Sequence, residues 1–164
     1  GGVFQVSTTL SNTVLFAGLD VITRSSHSLP ITYVPLGRDA AVAYDYMDFT
    51  FRNTSPYGVL LSTRVDSERL TIRIFSDAPL ERSIELESQV LKVLHPQVVT
   101  KIDPTLSPGV TIEERRGRQG YEVVLWRIIK MGEQVIEKEL VNRTIYWPQD
   151  RVIRQGPSIG GADA

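Results

Sequence analysis

The stretch Tyr121-Glu-Val-Val-Leu-Trp-Arg-Ile-Ile-Lys130, followed by Met131-Gly-Glu133 and Gln134-Val-Ile-Glu-Lys-Glu-Leu-Val-Asn-Arg-Thr-Ile-Tyr146, decides the fold. β-Branched and aromatic residues crowd both arms, which suits a pleated, half-buried backbone. The short Gly-containing connection is a common hairpin loop. In the first arm Val123, Val124, Leu125, Trp126, Ile128 and Ile129 put apolar side chains on both faces, so something must cover each side. The second arm alternates more openly through Glu137, Lys138 and Glu139.

Upstream, strand signals recur. Val59 to Val65 and Leu70 to Phe75 flank the polar stretch Asp66-Ser-Glu-Arg69 and predict a second hairpin, with Leu70, Ile72 and Ile74 on one face. Ile84, Leu86 and Val90 mark another strand, Phe49 and Phe51 a short one, and Ile31 to Val34 a further short one. A helix is expected over Ser7 to Gly18: Ser7 or Thr8 can cap it, Leu10, Val14 and Ala17 share a face beside Leu15, and Gly18 can close it. His95-Pro96, Asp103-Pro104 and Ser107-Pro-Gly109 break the pattern, since each X-Pro step disfavours helix. The expected fold class is therefore α+β, predominantly antiparallel β with one N-terminal helix, followed by a small all-β lobe. The expected boundaries are 1–95 for the first domain, 96–108 for an extended linker, 109–156 for the second lobe and 157–164 for a flexible tail. Core positions are expected at Leu10, Val14, Phe51, Leu61, Ile72, Ile74, Val123, Leu125 and Trp126.

The composition narrows the function. The 164 residues carry 18 Lys and Arg against 19 Asp and Glu, a formal charge of -1, which supplies no field for a nucleic-acid partner. With no cysteine, disulfides, thiolate metal sites and a cysteine nucleophile are excluded. No apolar run reaches the ~18 residues of a membrane span. The sequence starts at Gly1-Gly2 without Met or a signal-like segment, so any anchor or export signal is expected outside it.

Gly1-Gly-Val-Phe-Gln-Val-Ser-Thr-Thr-Leu-Ser-Asn12, then Ala17-Gly18-Leu19, His27-Ser28-Leu-Pro30, Tyr33-Val-Pro35, Gly37-Arg-Asp39-Ala40 and Asp48-Phe-Thr-Phe-Arg-Asn53 resemble the signature of the VanW family. Gly120-Tyr121, Tyr146-Trp-Pro148 and Arg154-Gln-Gly156 are similar to the G-five-like extension that many VanW proteins carry. The resemblance implies an exported protein at the cell surface of a bacterium, associated with the envelope. Many family members have Cys where this chain has Phe4, so the resemblance also implies that a nucleophile has been replaced by a packing residue.

The candidate binding residues are Gln5, Ser7, Thr8, Asn12, His27 and Asp39. His27 and Asp39 could form a base and its orienting acid if folding joins them. The alternative, favoured because no nucleophile accompanies them, is that His27 satisfies a backbone carbonyl and Asp39 caps a turn. Gln5, Ser7, Thr8, Thr9 and Asn12 could bind a peptide or glycan, or hydrogen-bond helix to sheet. Tyr33, Tyr44, Tyr46, Phe49, Phe51 and Tyr57 are expected mainly in the core rather than as a sugar platform. Glu113 to Arg118 reads as a solvated turn. His27 and His95 lie far apart in sequence and fit no metal pattern, and no cofactor and no catalytic residue are expected.

These readings predict a non-catalytic, extracellular, envelope-associated structural or binding module, whose partners are cell-wall polymer or other surface proteins. The chain is also expected to be a homo-oligomer, and one alternative function is a subunit that assembles into a filament or sheath through strand edges. The other is a peptidoglycan-modifying enzyme that uses a hydroxyl such as that of Ser7 or Ser28 with His27 and Asp39.

Overall fold

The computed structural model describes residues 2–77 and 81–158. A single helix among them, α1 (Gly2–Phe16), opens the chain. It starts well before the expected cap, so Ser7 and Thr8 lie inside it. Their hydroxyls do not cap the first turn but reach across to the carbonyl of Ala40, at 2.6 and 3.2 Å. The buried stripe is Ser7, Thr8, Ser11, Val14 and Leu15, a helical spacing that leaves Leu10 half-buried and Ala17 exposed. The C-terminal end follows expectation. Gly18 adopts φ 73, its amide bonds to Leu15 O, and Leu19 N returns to Val14 O, the double bond that closes a helix through a left-handed residue.

Among the described residues ten strands follow: β1 (Asp20–Thr23), β2 (Thr50–Arg52), β3 (Val59–Val65), β4 (Leu70–Ser76), β5 (Ser83–Leu94), β6 (Val98–Ile102), β7 (Thr111–Arg115), β8 (Gly120–Met131), β9 (Gln134–Tyr146) and β10 (Arg151–Gln155). They form antiparallel pairs β1-β2 and β3-β4, an antiparallel sheet β5-β8-β9, and a sheet β6-β10-β7 in which β6 runs parallel to β10. The architecture is predominantly antiparallel β with one small N-terminal helix, as the periodicities predict. Both hairpins, β3-β4 and β8-β9, form where expected.

Several expectations are corrected. Residues 31–34 make no strand, because Pro30 and Pro35 flank them, withhold amide donors and restrict their neighbours. The expected linker is extended but not free: Val98–Ile102 is β6, hydrogen-bonded to β10. β5, assigned from sequence to the first domain, pairs along its length with β8 and belongs to the second. Glu113, Glu114 and Arg115, read as part of a turn, lie in β7. The expected flexible tail lies outside the described residues from position 159 onward.

The core gathers Val14, Leu15, Leu19, Ala40, Ala41, Ile72, Val123, Val124, Leu125, Tyr146 and Val152. Leu10, Phe51, Ile74 and Trp126 are only half-buried. Leu61 is exposed, because β3-β4 is a two-stranded ribbon with no further strand beside it among the described residues. The aromatic span also departs from expectation: Tyr33, Tyr44, Tyr46 and Tyr57 are exposed, Tyr44 and Tyr46 at 91% and 89%, while Phe49 and Phe51 stack at 6.2 Å. The tyrosines fall in irregular chain, where the strand argument for burial does not apply. No helix among the described residues is long and apolar enough to cross a membrane.

Candidate functional site

Asp39 is the centre of the polar cluster. It lies at the end of the turn closed by Arg38 N to Pro35 O, within which Gly37 takes φ 82. Only 1% of Asp39 is exposed. Its Oδ2 accepts the backbone N–H of His27 at 2.7 Å and pairs with the ring Nδ1 of His27 at 2.8 Å. Its Oδ1 accepts from Arg24 Nη2 at 2.9 Å and from the Tyr146 hydroxyl. Folding therefore does bring His27 and Asp39 together, where the favoured alternative had His27 satisfying a backbone carbonyl and Asp39 capping a turn.

The electrostatics follow from these contacts. Burial would raise the Asp39 carboxyl, but the His27 amide, the Tyr146 hydroxyl, the His27 ring and the Arg24 charge together outweigh it and hold the group below its ordinary value. Burial, followed by the hydrogen bond to Asp39 and its negative charge, pushes the Tyr146 hydroxyl well above its ordinary value. Asp39 is thus a carboxylate and Tyr146 a neutral donor. The tyrosine oxygen in turn accepts the buried Gly37 N–H at 2.7 Å.

The helix side of the cluster is tied to the same turn. Thr8 Oγ1 accepts from Ala40 N at 3.0 Å, and Asn12 Nδ2 donates to Arg38 O at 2.9 Å while its Oδ1 accepts from Arg38 Nε at 2.7 Å. Ser7, Thr8 and Asn12 thus bond the helix to the irregular chain at Arg38 and Ala40 rather than to a sheet, and Thr9 bonds back to Gln5 O within the helix. The Gln5 side chain is exposed and takes no part. Phe4 meets His27 edge to face, with centroids 4.9 Å apart, and is 36% exposed, so it rests on the imidazole rather than plugging a core.

Arg24 and Tyr146 were missed from sequence. Arg24 donates to Asp39 O at 2.6 Å and to Thr144 Oγ1 at 3.0 Å, and Asn142 Nδ2 donates to Gly37 O at 3.1 Å. The cluster therefore spans from the N-terminal helix to β9 and joins the first part of the chain to the second. Chemically, an imidazole tied to a carboxylate is oriented as a base, but the ring facing it has no transferable proton, and Ser7 is engaged with Ala40 O. Among the described residues no group of His, Asp and Glu is arranged to hold a metal ion.

Residues 1–75 match the family described as VanW like protein, and residues 85–158 match the G5 domain. The Bacillus subtilis (strain 168) protein YoaR is 40% identical over 76 residues, 46% of this chain and 25% of that protein. The chain thus spans a quarter of the length of that relative. Among solved structures, the IgA1 protease G5 domain is similar at 18% identity and TM-score 0.35, covering 47% of this chain and 93% of that one. The HP0197 G5 domain is similar at 18% identity and TM-score 0.28, covering 46% and 99%. The β5 pairing falls on the same side of the division as the G5 match, and the Asp39 cluster sits within the VanW match with Tyr146 reaching it from the other side. The chain is a VanW-like domain over residues 1–75 followed by a G5 domain over residues 85–158.

Proposed function

We propose that this chain is a non-catalytic module of the bacterial cell surface that contacts cell-wall polymer or neighbouring surface proteins. The pairing of a VanW-like domain with a G5 domain supports association with the cell envelope. The observation that carries the non-catalytic reading is the use made of Asp39. Its oxygens are taken up by His27, Arg24 and Tyr146 in a joint between domains, and Phe4 covers the imidazole. Such a network orients the chain and engages the carboxylate and the imidazole with one another, which supports a structural use of the pair.

The test is retention on purified peptidoglycan sacculi, with muropeptides analysed after incubation. Retention with an unchanged muropeptide profile is expected. A changed profile that reverts with His27→Ala would establish catalysis instead, and a protein that neither sediments with sacculi nor crosslinks to a surface protein would refute the binding role.

A second reading, assembly with copies of itself, is favoured by the β3-β4 ribbon. Leu60, Val65 and Phe75 on it are 66%, 74% and 51% exposed, and among the described residues its two strands pair only with each other. Exposed apolar strands of this kind are docking sites for further strands.

A further inference from the structure

Two strand edges line one cleft. Among the described residues β1 pairs only with β2, and β9 only with β8. Between them lies a cleft of about 460 Å³, lined by Asp20, Val21 and Ile22 of β1, by the run 139–143 of β9, and by Ser11 and Leu15 of α1. Successive residues of a strand point to opposite faces, so a cavity lined by an unbroken run of them reaches round the strand's outer edge, while Arg127 of the middle strand β8 bounds it from the face.

The cleft is held open at both ends. At one end Arg127, whose ladder partner is Glu139, donates to Leu19 O at 2.8 Å. At the other, Arg24 reaches Thr144 Oγ1 at 3.0 Å. Asp20 to Arg24 therefore runs in the same sense as Glu139 to Thr144, and these bonds span the gap where the edges could otherwise have paired. Each edge also carries a bulge within the cleft. Ile22 is the extra residue between the Val21–Phe51 and Thr23–Thr50 pairs, and Val141 the extra residue between Leu140–Trp126 and Asn142–Leu125. Bulges of this kind bend a strand and interrupt its pairing.

Ser11 supplies an independent sign of a ligand. It is 0% exposed, it lines the cleft, and its Oγ has no hydrogen-bond partner. Buried hydroxyls are normally satisfied. The charges lining the cleft are already paired, Arg127 with Glu139 and with Asp20 at 3.8 Å, Arg24 with Asp39 and Arg143 with Glu122. An anionic or cationic ligand would find no free counter-charge. A neutral polar ligand with an extended backbone fits both the charge and the edges, since strand edges offer alternating N–H and C=O groups at the repeat of another strand. At ~3.3 Å per residue the run from Asp20 to Arg24 accommodates about four residues. A cleft spanned by one side chain at each end admits a loose segment but not the sheet edge of a second folded copy.

We propose that this cleft captures an extended peptide segment of another protein, added as a strand between β1 and β9, with uncharged central residues and a polar group meeting Ser11 Oγ. The proposal is independent of wall binding, because peptide capture and retention on sacculi are measured separately.

The test begins with selection of a displayed random heptapeptide library on the immobilised full chain. The best peptide, made synthetically, is then titrated into the ¹⁵N-labelled chain. Amide shifts are expected to concentrate at 20–24 and 139–143. Ser11→Ala should keep the thermal midpoint and weaken the peptide about five-fold, the loss of one neutral hydrogen bond. Ile22→Arg, at a position 53% exposed, should block the cleft without unfolding the chain. N-methylation of alternate peptide amides should weaken binding in either register, since a strand between two edges uses both sets. Failure to select a peptide, shifts elsewhere, undiminished binding to Ser11→Ala and Ile22→Arg, or displacement of the peptide by an N-acetylglucosamine tetramer would each overturn the proposal.

Discussion

Asp39 determines how the first turn, the helix and β9 meet, and its energetic role follows from its burial. It is 1% exposed and ion-paired with Arg24 at 2.9 Å, so removing the carboxylate leaves a nearly buried guanidinium without its partner. Asp39→Ala is expected to cost about 3–5 kcal/mol in urea unfolding, the range for breaking a buried ion pair from one side. Tyr146→Phe removes one donor to Asp39 and strips the Gly37 amide of its acceptor, and is expected to cost about 1–3 kcal/mol. The pH dependence has a definite sign. Because folding lowers the Asp39 carboxyl below its ordinary value, its stabilisation is present above about pH 4 and is lost as pH falls through the folded value. The stability gap between the natural chain and Asp39→Asn should therefore narrow in acid below that point. A gap that stays constant down to strong acid would show that the carboxylate charge is not what stabilises the turn. Tyr146 works in the opposite sense: its raised value places a loss of stability above about pH 10, which Tyr146→Phe should abolish.

At the scale of elements, the strands with clear periodicity were legible and those defined by distant partners were not. The β8-β9 hairpin could be read because its turn and its apolar arms are local. The parallel pairing of β6 with β10 leaves no such mark: Val98 meets Arg151 across a long stretch of chain, and nearby prolines suggest a linker. The β8-β9 sheet makes a sharp prediction at its origin. A Cβ on Gly120 would lie inside contact distance of the Tyr146 carbonyl, the Trp147 carbonyl carbon and the Pro148 nitrogen, all backbone atoms that cannot rotate away. Gly120→Ala is therefore expected to destabilise by about 1–3 kcal/mol or more, read as a lowered urea midpoint with an unchanged slope. The β3-β4 ribbon predicts the converse. Leu60→Lys with Phe75→Glu, at facing positions 66% and 51% exposed, should keep the chain folded, since opposite charges across a strand pair support it and exposed positions tolerate substitution. If copies associate through this ribbon, the pair of changes should abolish concentration-dependent sedimentation; persistence of the larger species would exclude the ribbon as the contact.

Across the whole molecule, the joint between the VanW-like and G5 domains decides whether they act as one body. Its links are long-range and mostly polar: Tyr146 to Asp39, Arg24 to Thr144, Asn142 to Gly37, Arg127 to Leu19 O, and Trp147 N to Ser28 O at 3.2 Å. Of these residues only Asp39, with its neighbour His27, was visible in the sequence as a candidate, because a His and an Asp within one short segment attract attention. Arg24 and Tyr146 carried no such signal, as an arginine after a short strand and a tyrosine ending a long one are ordinary until the fold brings them together. Since Asp39, Thr144, Gly37 and Tyr146 are buried, separating the domains would expose satisfied polar groups and leave others without partners, so opening the joint costs energy beyond the lost apolar contact. Calorimetry should accordingly show one transition whose calorimetric and van't Hoff enthalpies agree, the mark of a single cooperative unit. Arg24→Ala, which cuts the links to both Asp39 and Thr144 while leaving every strand pair intact, should lower the stability of the VanW-like domain more than that of the G5 domain and divide the transition in two. Two transitions already present in the natural chain would mean that the joint only positions the domains, and that the long antiparallel sheet of the G5 domain unfolds without reference to the helix it carries.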